Sequence, residues 1–128
     1  MDEDERRSLH IVVVGPCASG KTTLVKGLVA QGFAGARLVA QEHSGVRSLW
    51  ARRGPPDVLI CLDAQTATMN CRQGRTDWTD AARAEQLARL AGARRECHLY
   101  LATDDLTVLQ VRETVVQFLE QRRPRHDT

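Results

Sequence analysis

Residues 15–23 read GPCASGKTT and follow directly on the apolar run HIVVV. Gly15, Gly20, Lys21 and Thr22 occupy every fixed position of the pattern G-x-x-x-x-G-K-[ST]. Each residue type has a chemical reason. Glycine at 15 and 20 permits backbone angles closed to other residues, so successive N–H groups can turn inward onto an anion. A helix starting at Lys21 points its positive end at the same place. Lys21 supplies a compact charge for β- and γ-phosphates, and Thr22 places a hydroxyl where Mg²⁺ is held. Pro16, Cys17, Ala18 and Ser19 fill the variable positions, and Thr23 completes the expected contact set. The chemistry expected is capture of a nucleoside triphosphate with Mg²⁺, ATP first and GTP as the alternative.

Two carboxylates elsewhere have the profile to work on such a ligand. Asp63 closes the apolar run LICLD, as a metal-supporting acid does at the end of a buried strand, and a strand-end turn residue has the same profile. Glu42, in VAQEHS, ends the second expected strand, where a carboxylate can orient an acceptor hydroxyl or take its proton. His43 beside it has two readings, substrate contact or structural histidine. The four cysteines (Cys17, Cys61, Cys71, Cys97) lack C-x-x-C spacing and read as free thiols in a reducing compartment. Cys17 stands apart, because backbone N–H groups around a thiol in such a loop favour the thiolate, and its oxidation would block nucleotide binding.

These residues need a scaffold, and the hydrophobic pattern supplies one. Strands are expected at 9–14, 36–42, 57–63 and 97–103, with β-branched or apolar runs suited to burial on both faces. Helices are expected from Lys21 to Gln31, over 44–54, from Thr79 to Ala93, and from near Asp105 or Thr107 onward. Residues 64–79 form a polar, arginine-bearing segment. Strands alternating with helices imply a parallel sheet covered on both faces. The fold class expected is therefore α/β: a P-loop (Walker A) three-layer α/β/α sandwich with a mostly parallel central sheet of four to five strands. The chain reads as one nucleotide-binding domain over 1–128, with flexible tails at 1–8 and 121–128.

The opening MDEDERRS is acidic and lacks the apolar stretch of a signal peptide. No apolar run approaches the roughly 20 residues that cross a bilayer. A cytoplasmic location without membrane partner is expected. The net charge of +2 is too near neutral to point to nucleic acid.

With the loop and strands placed, the chain from Leu9 to about Leu119 resembles the nucleoside and nucleotide kinases of the thymidylate-kinase and deoxynucleoside-kinase group. PPDVLICLDA followed by TATMNCRQGR is similar to the segment of those kinases that leads from a strand into the lid. Pro56, Asp57 and Asp63 match its strand, and Arg72 and Arg75 its arginines. YLATDDLTVLQVRETVVQFL is similar to their final strand and helix. The resemblance implies that Arg72 and Arg75 act as lid arginines over the phosphates; a solvated loop is the other reading of these two. The chain departs from the group between strands two and three, where only HSGVRSLWARRGPP stands in place of a strand, an Asp-Arg-type motif and a helical insert.

The function expected is a small kinase-like phosphotransferase moving a phosphoryl group from Mg²⁺–ATP to a small molecule or nucleotide. Lys21, Glu42, Arg72 and Arg75 would be catalytic, and Thr22 and Asp63 would hold the metal. Two other classes fit the loop. One is a divergent GTPase-like switch, although ATDDL lacks the lysine of guanine recognition and Asp63 is followed by AQT where Asp-x-x-Gly is needed. The other is a regulatory or assembly module with slow hydrolysis.

Overall fold

Two strands are buried along their whole length, β1 (Ile11–Val14) and β3 (Val58–Asp63). Their near-continuous apolar runs suit the centre of a sheet covered on both faces. The computed structural model describes residues 1–122. In it these strands pair in parallel, with Ile11 opposite Val58 and Val14 opposite Cys61. The short strand β2 (Ala36–Leu38) lies outside β1, and β4 (Leu99–Ala102) lies outside β3. The sheet is four-stranded and all parallel, in the order β2-β1-β3-β4.

Period-two alternation divides the core. Ile11, Val13, Val58, Ile60 and Leu62 pack with Leu24 and Leu28 of α2 (Lys21–Ala30) and with Val111, Val115 and Leu119 of α6 (Val108–Gln121). Val12, Val14, Leu59 and Cys61 face the other way, onto Leu90 and Ala93 at the junction of α4 (Asp80–Arg89) and α5 (Ala91–Glu96). The result is an α/β fold with helices on both sheet faces, compatible with a three-layer α/β/α arrangement. Burial pushes the Cys61 thiol up to about 12, so it stays protonated inside this second cluster. Among the described residues no helix is long and apolar enough to cross a membrane.

Beyond strand ends shorter by a residue or two, several elements depart from expectation, and the causes can be named. Residues 1–8 are not a tail: α1 (Glu3–Ser8) has an Asp2–Glu5 capping box and docks through Arg6, which donates to the Gln31 carbonyl at 2.8 Å and to Glu120. The second strand stops at Leu38, and Gln41–His43 forms a 3₁₀ turn, so Glu42 lies in a turn beyond the strand rather than at its end. The helix expected over 44–54 shrinks to a 3₁₀ turn at Leu49–Ala51. There Ser44 accepts from the Val46 amide, while the fully buried Gln41 amide donates to the Val46 carbonyl and accepts from Trp50 N–H. Side chains thereby satisfy backbone groups that a helix would have used.

The single helix expected to Ala93 breaks at Leu90, whose N–H is shared between the Gln86 and Leu87 carbonyls. Within 64–79, α3 (Thr66–Gln73) forms, and Asn70 then folds the following turn back by bonding both backbone groups of Trp78. Thr107, rather than Asp105, caps α6 through a capping box with Gln110. The expected tail at 121–128 lies outside the described residues from 123 onward.

Candidate functional site

The loop 15–20 joins β1 to α2 at the C-terminal edge of the sheet. Close packing selects its first glycine: a Cβ on Gly15 would lie 2.6 Å from the Leu62 carbonyl oxygen and 2.6 Å from Ser19 Oγ. Gly20 has φ +103° and stands at the N-cap of α2, with no side chain capping the helix. The first amides of α2 are therefore left to whatever binds in front of them. Ser19 is buried, and its hydroxyl has no hydrogen-bond partner.

Lys21 does not point into solvent. Its Nζ donates to the Gly15 carbonyl at 2.7 Å and the Pro16 carbonyl at 3.0 Å, and pairs with Glu42 Oε2 at 2.9 Å. Both members of the pair are at least nine-tenths buried. Glu42 is brought here by the 3₁₀ turn after β2, which α4 supports from below: Arg89 donates to the Glu42 carbonyl at 3.2 Å. The second carboxylate oxygen, Oε1, is buried without a partner. Each residue carries a sequence signal of its own, but nothing in the linear order marks their pairing.

Cys17 completes this edge. Its Sγ lies 3.4 Å from His43 Nε2, and the buried side chain of Gln86 grips it twice, accepting from Cys17 N–H at 2.9 Å and donating to Sγ at 3.2 Å. Gln86 carried no sequence signal, being one polar residue on a polar helix.

The two arginines separate. Arg72, on α3, reaches the loop and donates to the Ala18 carbonyl at 2.8 Å and to Thr103 Oγ1 at 2.9 Å. It lines a cleft of about 300 Å³ with Ala18, Gly20, Lys21, Thr22 and Thr23. Arg75 instead pairs with Asp77 at 2.8 Å and stacks on Trp78, and it does not line that cleft. Thr103, buried just past β4, ties the pieces together: its hydroxyl lies 2.9 Å from the Ser19 carbonyl and 3.1 Å from the Asp63 carbonyl. Its sequence signals were its place after a late strand and the Thr-Asp pair of ATDDL ahead of the last helix.

Asp63 also has partners other than those expected. Its carboxylate accepts from the Ala64 amide at 2.8 Å, from Arg83 at 2.9 and 3.1 Å, and from the Tyr100 hydroxyl, with Arg94 4.0 Å away. Its odd position on β3 turns it toward the α4–α5 side of the sheet, whereas Thr22 stands exposed at the start of α2 on the other. The structure thus joins Lys21 with Glu42 and Arg72 with the loop, and gives Asp63 to an arginine network. Arg83 was missed because one arginine among many on a helix face has no distinguishing pattern.

Burial, and then the hydrogen bond to Asp63, raise the Tyr100 hydroxyl above the ordinary tyrosine value. The chain holds a single tyrosine, so phenolate absorbance reads this group alone. The native midpoint is expected above the ordinary tyrosine value of about 10, which the chain should recover in denaturant. By linkage, the contribution of Tyr100 to stability is full below the unfolded midpoint and fades as pH rises through the native one. A native midpoint at or below the denatured one would contradict the Tyr100–Asp63 bond.

A scan against protein-family models and a search of the curated proteins each found no match to this chain.

Proposed function

We propose that the chain is a P-loop protein that binds Mg²⁺–ATP at residues 15–23 and transfers its γ-phosphoryl group to a small acceptor. The observation that carries this reading is the buried Lys21–Glu42 pair beside the uncapped start of α2. The lysine is held at the loop by the Gly15 and Pro16 carbonyls, and the Glu42 carboxylate is the anion that a phosphate would replace. The position agrees with the sheet order. β1 leads through α2 to β2 on one side and has β3 on the other, and open parallel sheets bind ligands at the carboxyl ends of the strands where the order reverses.

In this reading the α2 amides and Lys21 hold the β- and γ-phosphates, and the Ser19 hydroxyl gains the partner it lacks. Thr22 would hold Mg²⁺, which draws charge from the phosphate oxygens. Asp63 serves this ion only if it first gives up Arg83, so its role here is to fix β3 against α4. As Lys21 moves onto phosphate, Glu42 is freed to accept the acceptor's hydroxyl proton. The acceptor oxygen then bonds to the γ-phosphorus, and the bond to the β-phosphate oxygen breaks with ADP leaving. Arg72 stands over the same cleft and neutralises charge on the transferred group.

One observation favours a second reading, a nucleotide-binding module with slow hydrolysis. Arg72 spends its guanidinium on Ala18 and Thr103, so its hydrogen bonds go to the protein rather than to a ligand in the cleft.

Calorimetry with ATP, GTP and deoxynucleotides, with and without Mg²⁺, followed by a scan for newly phosphorylated small molecules, separates these classes. Mg²⁺-dependent ATP binding, with turnover only when an acceptor is present, is the expected result. Glu42→Gln should keep binding and lose transfer. Tight GTP binding with slow acceptor-free hydrolysis would instead mark a switch, and absence of nucleotide binding would overturn the reading altogether.

A further inference from the structure

We propose that Cys17, Glu42 and His43 form a binding site for one Zn²⁺ ion, or a cation of similar softness, at the outer end of the 15–20 loop. One ligand atom from each residue lies within 4.8 Å of the others. The sulfur–nitrogen edge fits tetrahedral zinc. Zn–S of about 2.3 Å and Zn–N of about 2.0 Å place sulfur and nitrogen about 3.5 Å apart, and Cys17 Sγ and His43 Nε2 are separated by 3.4 Å. His43 Nε2 and Glu42 Oε2 stand 3.7 Å apart, wider than the about 3.3 Å that two ligands at about 2.0 Å set in a tetrahedron, so the carboxylate closes in on binding.

A second, independent observation points to a ligand here. Glu42 is buried and uses only one carboxylate oxygen, on Lys21, while Oε1 is unpartnered. A carboxylate sealed from water with a lone oxygen is costly unless something binds it. A cation at this corner would give the carboxylate a second counter-charge, and access is open because Cys17 is partly exposed and the His43 ring is 58% exposed. The donors are also held from behind: the Gln86 amide bonds both the backbone and the sulfur of Cys17, and Arg89 bonds the Glu42 carbonyl. Such outer contacts are what orient metal ligands.

The donor set selects the ion. Thiolate and imidazole disfavour Mg²⁺ and Ca²⁺, which take oxygen ligands, and favour zinc or cobalt. On binding, the Cys17 S–H bond breaks, its proton goes to solvent and the S–metal bond forms; His43 binds as the neutral tautomer with its proton on Nδ1. Thiolate and carboxylate together offset the ion's charge beside the Lys21 ammonium. Three protein ligands leave a fourth position for water.

The test is a Co²⁺ titration of the full, nucleotide-free chain, read by its absorption spectrum, with Zn²⁺ then added to displace the cobalt. One equivalent of cobalt is expected to produce a thiolate-to-cobalt charge-transfer band and tetrahedral d–d bands, removed by Zn²⁺. Cys17→Ser and His43→Ala should each abolish the band, and Glu42→Gln should weaken binding by more than about tenfold, the loss already seen when outer contacts are removed. The double variant Cys71→Ser/Cys97→Ser should retain it. Absence of the band, or its survival in Cys17→Ser, would overturn the proposal. Should Cys17→Ser fail to fold, His43→Ala decides, because that ring lies on the surface. No nucleotide enters the assay, so failure here leaves the phosphotransfer reading standing, and the reverse holds too.

Discussion

Lys21→Met is expected to unfold at markedly lower denaturant than the parent chain, with a loss of about 3–5 kcal/mol, the cost of removing one partner from a buried ion pair. The reason lies on the other side of the pair. Glu42 is 4% exposed, and its Oε1 already lacks a partner, so losing Lys21 strips the carboxylate of its remaining bonded cation. A buried charge without compensation is among the costliest defects a core can carry. The double variant Lys21→Met/Glu42→Gln removes both charges and is expected to recover most of the loss, because the desolvation cost goes with them. Urea unfolding of the parent, two single variants and the double variant gives the coupling directly. Both Lys21 variants are expected to lose ATP binding in calorimetry whatever their stability. Equal stability of Lys21→Met and the parent would mean that the pair does not form in solution.

The second large effect falls on Asp63. Arg83→Met is expected to destabilise the chain by about 3 kcal/mol, since it leaves the carboxylate of a 3% exposed aspartate with the Ala64 amide, the Tyr100 hydroxyl and only the more distant Arg94 at 4.0 Å. The same variant should move the Tyr100 titration, because the hydroxyl and Arg83 share one acceptor. Asp63→Asn separates structure from metal chemistry. As a structural residue it should lose stability while its affinity for Mg²⁺–ATP, measured where the variant is folded, changes little. A fall in Mg²⁺-dependent affinity with unchanged stability would return Asp63 to the metal.

These two carboxylates show where local reading ends. LICLD identifies a buried strand closed by an acid, and the structure has that strand over Val58–Asp63. Whether the acid meets a metal or an arginine depends on a helix that begins 17 residues later, at Asp80. For Glu42 the local register itself was misread. The strand ended four residues early because Gln41, fully buried, uses its side-chain amide to organise the turn that follows. Of the arginines implied by the kinase resemblance, Arg72 meets the loop through α3, whereas Arg75 is held by its near neighbours Asp77 and Trp78.

What the sequence determined by itself was everything carried by short-range pattern. Apolar runs named the four strands, a 3.6-residue period named α2 and α6, and fixed spacing named the glycine loop with its lysine and threonine. Propensity, burial period and turn chemistry act within a few residues, so they survive in the linear order. The tertiary structure alone decided which buried polar and charged groups met. Lys21 with Glu42, Cys17 with Gln86 across 69 positions and Asp63 with Arg83 across 20 are pairings set by strand order and helix docking. Buried charges must find partners wherever the packed chain puts them, and no local period records that place.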